Sequence, residues 1–158
     1  MNASIHRLLG VLAIIVVTLP SSAGANAPAG QYVVTAGGTG NGTVYDTKSK
    51  LTWQQTVSSA MYSWAAAKTY CASVGASLGG TGWRLPTLKE LQSLVDYSQA
   101  GSTAAMIDPN AFPSTPATSF WSASPVAGSP SFAWYVYFYT GYTNYDDVSY
   151  PSTVRCVR

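Results

Sequence analysis

The sequence is short of charge: Asp, Glu, Lys and Arg make up 9% of its 158 residues, and the formal net charge is +2. So small a balance does not predict nucleic-acid binding. Histidine is almost absent, because His6 is the single copy and lies in an N-terminal segment with export-signal grammar. Once that segment is removed, Ser-His and Cys-His nucleophiles and histidine metal sites are excluded by inventory. Long apolar runs are also missing beyond Leu19. A bilayer span needs roughly 20 apolar residues, so no stable membrane insertion is expected. Lys and Arg disappear altogether between residues 90 and 154, where Glu90, Asp96, Asp108, Asp146 and Asp147 lie. A polyanion site should therefore avoid the middle of the C-terminal half.

What is present begins with that export signal. Arg7 supplies a positive n-region, Leu8 to Leu19 an apolar h-region, and Ala23-Gly24-Ala25 or Ala25-Asn26-Ala27 a small-residue cleavage site. Cleavage after Ala25 is preferred, because the alternative after residue 27 puts Pro28 directly behind the cut. The reading is residues 1–25 as signal peptide, 26–41 as a flexible leader and 42–158 as one domain. The destination is secreted, periplasmic or cell-surface. In such a compartment the two cysteines, Cys71 and Cys156, read as a disulfide. A loop of about 85 residues would be worth roughly 4 to 5 kcal/mol in the chain-entropy treatment.

The leader carries one expected strand, Tyr32 to Thr35. Gly42-Thr43-Val44-Tyr45-Asp46 and Leu51-Thr52-Trp53-Gln54, joined by Thr47-Lys48-Ser49-Lys50, read as a hairpin. Asn41-Gly42-Thr43 matches a glycosylation sequon but is better read as a glycine turn. Ser63 is placed to cap a helix whose apolar positions are Trp64, Ala67, Cys71 and Val74, ending before Gly75. Thr87 and Glu90 form a T-x-x-E capping box for a second helix carrying Leu88, Leu91, Leu94 and Val95 on one face. Residues 98–131 read mostly as loop with a short strand at Phe120-Trp121-Ser122. Ala133 to Tyr139 alternates, with Trp134, Val136 and Phe138 on one face and Tyr135, Tyr137 and Tyr139 on the other. Val154-Arg155-Cys156-Val157-Arg158 reads as a last strand with Arg155 outward.

Catalytic groups are hard to find. Six acids at unrelated positions give no spacing that favours a two-carboxylate glycosidase. Asp146-Asp147 lacks further oxygen ligands for calcium. The expectation is a non-enzymatic protein with no cofactor and no metal. The unusual segment is 135–150, which holds six of the eleven tyrosines. Tyrosine mixed with Ser, Gly, Asn and Asp is the composition of antibody paratopes, where Tyr gives large amphipathic contact at low entropy cost. The expected ligand-binding residues are Tyr135, Tyr137, Tyr139, Tyr142, Asn144, Tyr145, Asp146, Asp147 and Tyr150. The bland alternative is a tyrosine-rich sheet face covered by loops.

Several blocks carry a resemblance: Gly42 to Asp46 with Leu51 to Gln54, Trp64-Ala65-Ala66-Ala67 with Tyr70-Cys71, and Trp83-Arg84-Leu85-Pro86-Thr87-Leu88-Lys89-Glu90-Leu91. Phe120-Trp121-Ser122, Ala133-Trp134 with Val136 and Phe138, and the terminal Val154 to Arg158 complete the set. Over 42–158 the chain resembles the Lcl C-terminal domain family, once a domain of unknown function and named for a Legionella collagen-like adhesin. The resemblance implies an α+β, C-type-lectin-like domain with two helices, short antiparallel strands, long loops and one disulfide from the first helix to the last strand. It also implies an extracellular adhesin role; the namesake takes sulfated glycosaminoglycans. This chain departs from it in lacking collagen repeats and in its cation-free stretch, so polyanion binding at the tyrosines is not expected. The sugar-calcium motifs of animal C-type lectins are absent as well, Asp108-Pro109-Asn110 being a weak echo. Trp83, Arg84 and Trp121 read as fold residues, with Arg84 paired to Glu90 or Asp96.

The expected function is a secreted recognition module that uses the tyrosine-rich surface to hold an extracellular protein or glycan, with no nucleic-acid partner. A structural or assembly domain of the cell envelope is the first alternative. A retroelement-diversified variable receptor-binding protein is the second, since Tyr, Asn, Asp, Ser and Thr are reachable from an asparagine codon by changing its adenines.

Overall fold

A computed structural model describes residues 27–37, 41–100 and 103–158, so the expected signal peptide, 1–25, lies outside the described residues. The chain is α+β, built from two antiparallel three-stranded sheets, short helices and one disulfide. The first sheet has β1 (Tyr32–Thr35), β2 (Thr43–Asp46) and β3 (Thr52–Gln54) in that order. The expected hairpin is β2 and β3. Its turn closes through Asp46, whose carboxylate accepts from the Lys48 N–H at 2.9 Å and the Ser49 hydroxyl at 2.7 Å. Gly42 is required at its entrance: a Cβ there would lie 2.9 Å from the Thr35 carbonyl oxygen.

The described part of the segment read as a flexible leader carries the strand expected there. β1 pairs with β2 from Tyr32↔Asp46 to Thr35↔Thr43, and the Tyr32 ring packs edge-on against Phe112 at 5.3 Å. Residues 27–37 thus join the folded body, because a strand can hide a tyrosine that a free leader would leave in water.

Helix α1 (Trp64–Ser73) forms as the periodicity predicts, with Ala67 and Cys71 fully buried. Ser63 occupies the N-cap position, yet its side chain makes no capping hydrogen bond. The helix breaks at Val74 and resumes for one turn as α2 (Gly75–Leu78), an element the two-helix expectation lacked. Helix α3 (Leu88–Gln92) carries both halves of the Thr87–Glu90 capping box. Arg84 grips the same Glu90 bidentately at 2.8 and 2.7 Å.

That pairing, with help from the Thr87 contacts, holds the Glu90 carboxyl at about 2 instead of the ordinary 4.5. A depressed carboxyl stabilises the fold above its unfolded value and loses that contribution as pH falls from 4.5 towards about 2. Because Arg84 is 45% exposed, solvent screening limits the effect to under about 1 kcal/mol. Urea unfolding at neutral and at acid pH should show Glu90→Gln with a flatter acid slope than the parent.

The second sheet holds β4 (Ser119–Val126), β5 (Ser129–Tyr137) and β6 (Tyr142–Asp147). Two expectations are corrected here. β4 continues to Val126 and β5 begins at Ser129, where loop was expected, because Ala127 and Gly128 make a tight turn with Gly128 at φ +75°. Register irregularities on either side of Pro125 let the ladder tolerate a proline. Strand β6 lies in what the composition presents as polar loop.

The sheet is covered in part on each face. Phe120, Val136 and Phe138 pack with Leu91 and Leu94 on one side, and Trp121 and Ala133 pack with Ala67, Cys71 and Cys156 on the other. The disulfide joins Cys71 to Cys156 across 85 residues, as the cysteine count predicts. The last segment is extended between two partners. Arg158 exchanges hydrogen bonds with Thr52, and Val157 exchanges them with Arg84. Arg155, read as outward, is instead completely buried.

Candidate functional site

The β5–β6 hairpin presents the tyrosines, and its turn is fixed from below. Gly141 sits at φ +75°, and a Cβ there would meet Val95 at 2.7 Å and Tyr97 at 2.8 Å. The Tyr97 hydroxyl donates to the Gly141 carbonyl at 3.0 Å. Only glycine fits this close approach with a left-handed backbone.

Register then sorts the side chains, since directly opposed residues of an antiparallel pair share a face. The pairs Tyr137↔Tyr142, Tyr135↔Asn144 and Ala133↔Asp146 lie on one face. The pairs Trp134↔Tyr145 and Phe132↔Asp147 lie on the other. Of the nine expected residues, Tyr135, Tyr137, Tyr142, Asn144 and Asp146 are therefore brought together, and Tyr139 joins them by ring contact with Tyr137 at 6.0 Å. Tyr145 and Asp147 are on the opposite face, and Tyr150, 57% exposed, follows β6 in a turn. A single nine-residue surface does not exist. A period of two sends neighbours to opposite sides, so a run of tyrosines along a hairpin divides.

On the tyrosine face the rings are graded. Tyr135 is half-buried and packs edge-on against Trp121 at 6.2 Å. Burial raises its hydroxyl pKa, with the charges of Tyr142 and Asp146 and a hydrogen bond with Tyr142 adding, and a hydrogen bond with Asn144 opposing. Tyr137 meets Tyr142 at 5.4 Å, tilted by 56°. Tyr139 and Tyr142 leave about half of their surface in water. Asn144 and Asp146 each use one side-chain oxygen on the next backbone N–H, at 2.9 Å in both cases. Those bonds satisfy edge-strand donors at Tyr145 and Asp147, which blunts the free edge of the sheet.

The opposite face carries a smaller aromatic group that sequence reasoning missed. Tyr145 contacts Trp134 at 5.4 Å and Phe132 at 5.8 Å, both edge-on. Trp134 was placed with the core residues Val136 and Phe138 by alternation, and it does share their face, but it lies towards the uncovered end. Only the β6 register reveals that. Asp147 accepts from the Ser149 N–H and hydroxyl at 2.8 and 2.6 Å, which holds its carboxyl below the usual range and makes it a turn residue. Asp108 is likewise a buried turn residue, accepting from the N–H groups of Asn110, Ala111 and Ala27. No group of three or more His, Cys, Asp or Glu residues able to hold a metal occurs among the described residues.

Residues 42–158 match the Lcl C-terminal domain. The chain belongs to the Lcl C-terminal domain family. The matched stretch includes β2 to β6, helices α1 to α3 and both cysteines, while β1 lies ahead of it and extends the first sheet. No curated protein and no solved structure gives a significant match. No helix among the described residues is long and apolar enough to cross a membrane.

Proposed function

We propose that the chain is an extracytoplasmic, non-enzymatic recognition module with a C-type-lectin-like scaffold, and that it takes its ligand on the face formed by Tyr135, Tyr137, Tyr139, Tyr142, Asn144 and Asp146. One observation carries the reading: four tyrosines are gathered on one face of a hairpin whose turn is locked by Gly141, and the outer two are half exposed. Contiguous exposed aromatic surface rimmed by polar groups marks interaction sites. Membership of an adhesin-like family and a disulfide are consistent with placement outside the cytoplasm.

The test is a binding panel of glycans, glycosaminoglycans and extracellular proteins. Tyr137, Tyr139 and Tyr142 changed together to Ala should weaken binding by at least about tenfold, because hot-spot aromatics each contribute on the order of 1 to 2 kcal/mol. Tyr150→Ala, off the face, should stay within about twofold of the parent. Equal binding by a folded triple variant, with unchanged circular dichroism, would remove the site.

A further inference from the structure

Resting on that reading, we infer that the ligand of the tyrosine face is a cationic segment of a partner protein, presenting Lys or Arg side chains to the tyrosine rings and Asp146. Three observations carry it. First, the stretch from 90 to 154 contains no Lys or Arg, and the Arg84–Glu90 bridge is the one ion pair among the described residues. Asp146 is therefore a carboxylate on this face without a cation of its own. Second, only its Oδ1 is engaged, by the Asp147 N–H, which leaves Oδ2 to receive a donor. Third, the rings do not make a flat shelf. Tyr137 is tilted by 52° to Tyr139 and by 56° to Tyr142.

Ring tilt separates two chemistries. A rigid sugar ring stacks on one aromatic face at a time, so tilted neighbours cannot both lie under it. An ammonium or guanidinium on a flexible stem can approach two π faces together, each contributing about 0.5 to 1 kcal/mol at an exposed site. Asp146 lies further along the same face, two same-face pairs from Tyr137↔Tyr142 and next to Tyr135, where its charge attracts a second cationic side chain of the same segment and repels sulfated or phosphorylated ligands. The chain uses this chemistry elsewhere on itself, where the Lys68 ammonium lies 3.4 Å from the Trp64 ring centroid.

Calorimetric titration of the exported protein with three probes tests the inference: a lysine-rich tetrapeptide, a neutral chitin oligosaccharide and heparin. The peptide is expected to bind, more weakly as salt rises from about 50 to about 500 mM, and its lysine-acetylated form to fail. Asp146→Asn keeps an Oδ1 for the Asp147 N–H, so the fold is retained, and affinity should fall about fivefold at low salt. Tyr139→Phe with Tyr142→Phe should retain most of the binding because the π faces remain, whereas the paired Leu variant should lose at least about tenfold. Chitin binding that the Leu pair abolishes, with no peptide binding, would overturn the cationic ligand and leave the tyrosine face standing. Heparin bound in preference to the peptide would also overturn it. Failure of all three probes would overturn both readings.

Discussion

Replacing Cys71 and Cys156 with Ala together is expected to lower stability by about 4 kcal/mol, close to the chain-entropy value for so long a loop. The bridge spans 85 residues, and both cysteines are fully buried. It fastens α1 to a C-terminal segment that no regular ladder holds. The segment's backbone bonds to β3 at Thr52 and Gln54 and to the Trp83–Leu85 stretch at Arg84, and the Arg158 guanidinium lies 5.4 Å from the Trp83 ring. Without the cross-link, the unfolded chain recovers its loop entropy, and the native segment is left to these backbone bonds, the Arg155 hydrogen bonds and core packing. For a domain of this size the midpoint of thermal unfolding should fall by roughly 15 °C. Reduction of the parent protein with dithiothreitol should give a loss of the same size, because it removes the same constraint without deleting side-chain volume. A drop below about 1 kcal/mol in both experiments would show that the terminal segment is held by packing alone.

Features with a local cause were legible in the sequence. The β2–β3 hairpin has its Asp46 turn within a few residues, the capping box needs only Thr87 and Glu90, and α1 declares itself through Ala67 and Cys71. The disulfide followed from counting two cysteines in a chain whose N-terminus reads as an export signal. Features that depend on a distant partner were not legible. β1 was visible as a strand, but nothing in Tyr32 to Thr35 says that β2 lies beside it. β6 is built of Asn, Asp, Thr and Tyr, residues that satisfy a loop equally well, and it becomes a strand because Gly141 can turn tightly over Tyr97. The candidate site inherits that blindness. Its tyrosine composition was evident, and its division into two faces required the register. Alternation also misplaced Arg155, since a period of two assumes one buried face and the last segment is buried on both.

Arg155 is expected to be the least replaceable side chain in the protein: Arg155→Ala should cost about 3 to 5 kcal/mol, the range for uncovering buried polar partners and opening a cavity together. Its guanidinium donates to the Gln54 carbonyl at 2.7 Å, the Gln55 carbonyl at 2.6 Å and the Thr115 hydroxyl at 2.6 Å. It also lies 4.6 Å from the Phe112 ring and 6.0 Å from Phe120. No carboxylate pairs with it among the described residues. Burial pushes its pKa down to about 9, which still leaves it charged at neutral pH. A buried cation without an anion survives here because three oxygens and two aromatic faces replace its hydration. The planar fork lets one residue join the end of β3 to the loop before β4. Arg155→Lys keeps the charge but cannot reproduce the fork, so about 2 kcal/mol should be lost. Arg155→Met keeps much of the volume and leaves the same oxygens without a donor, and about 3 kcal/mol is expected. The decisive measurement is a double-mutant cycle in urea unfolding that pairs Arg155→Met with Thr115→Val. If the hydrogen bond to Thr115 matters, the two losses will be non-additive by more than about 0.5 kcal/mol. A neutral or stabilised Arg155→Met protein would mean that the desolvation cost of this guanidinium equals everything its partners return, a balance already measured for some buried charges.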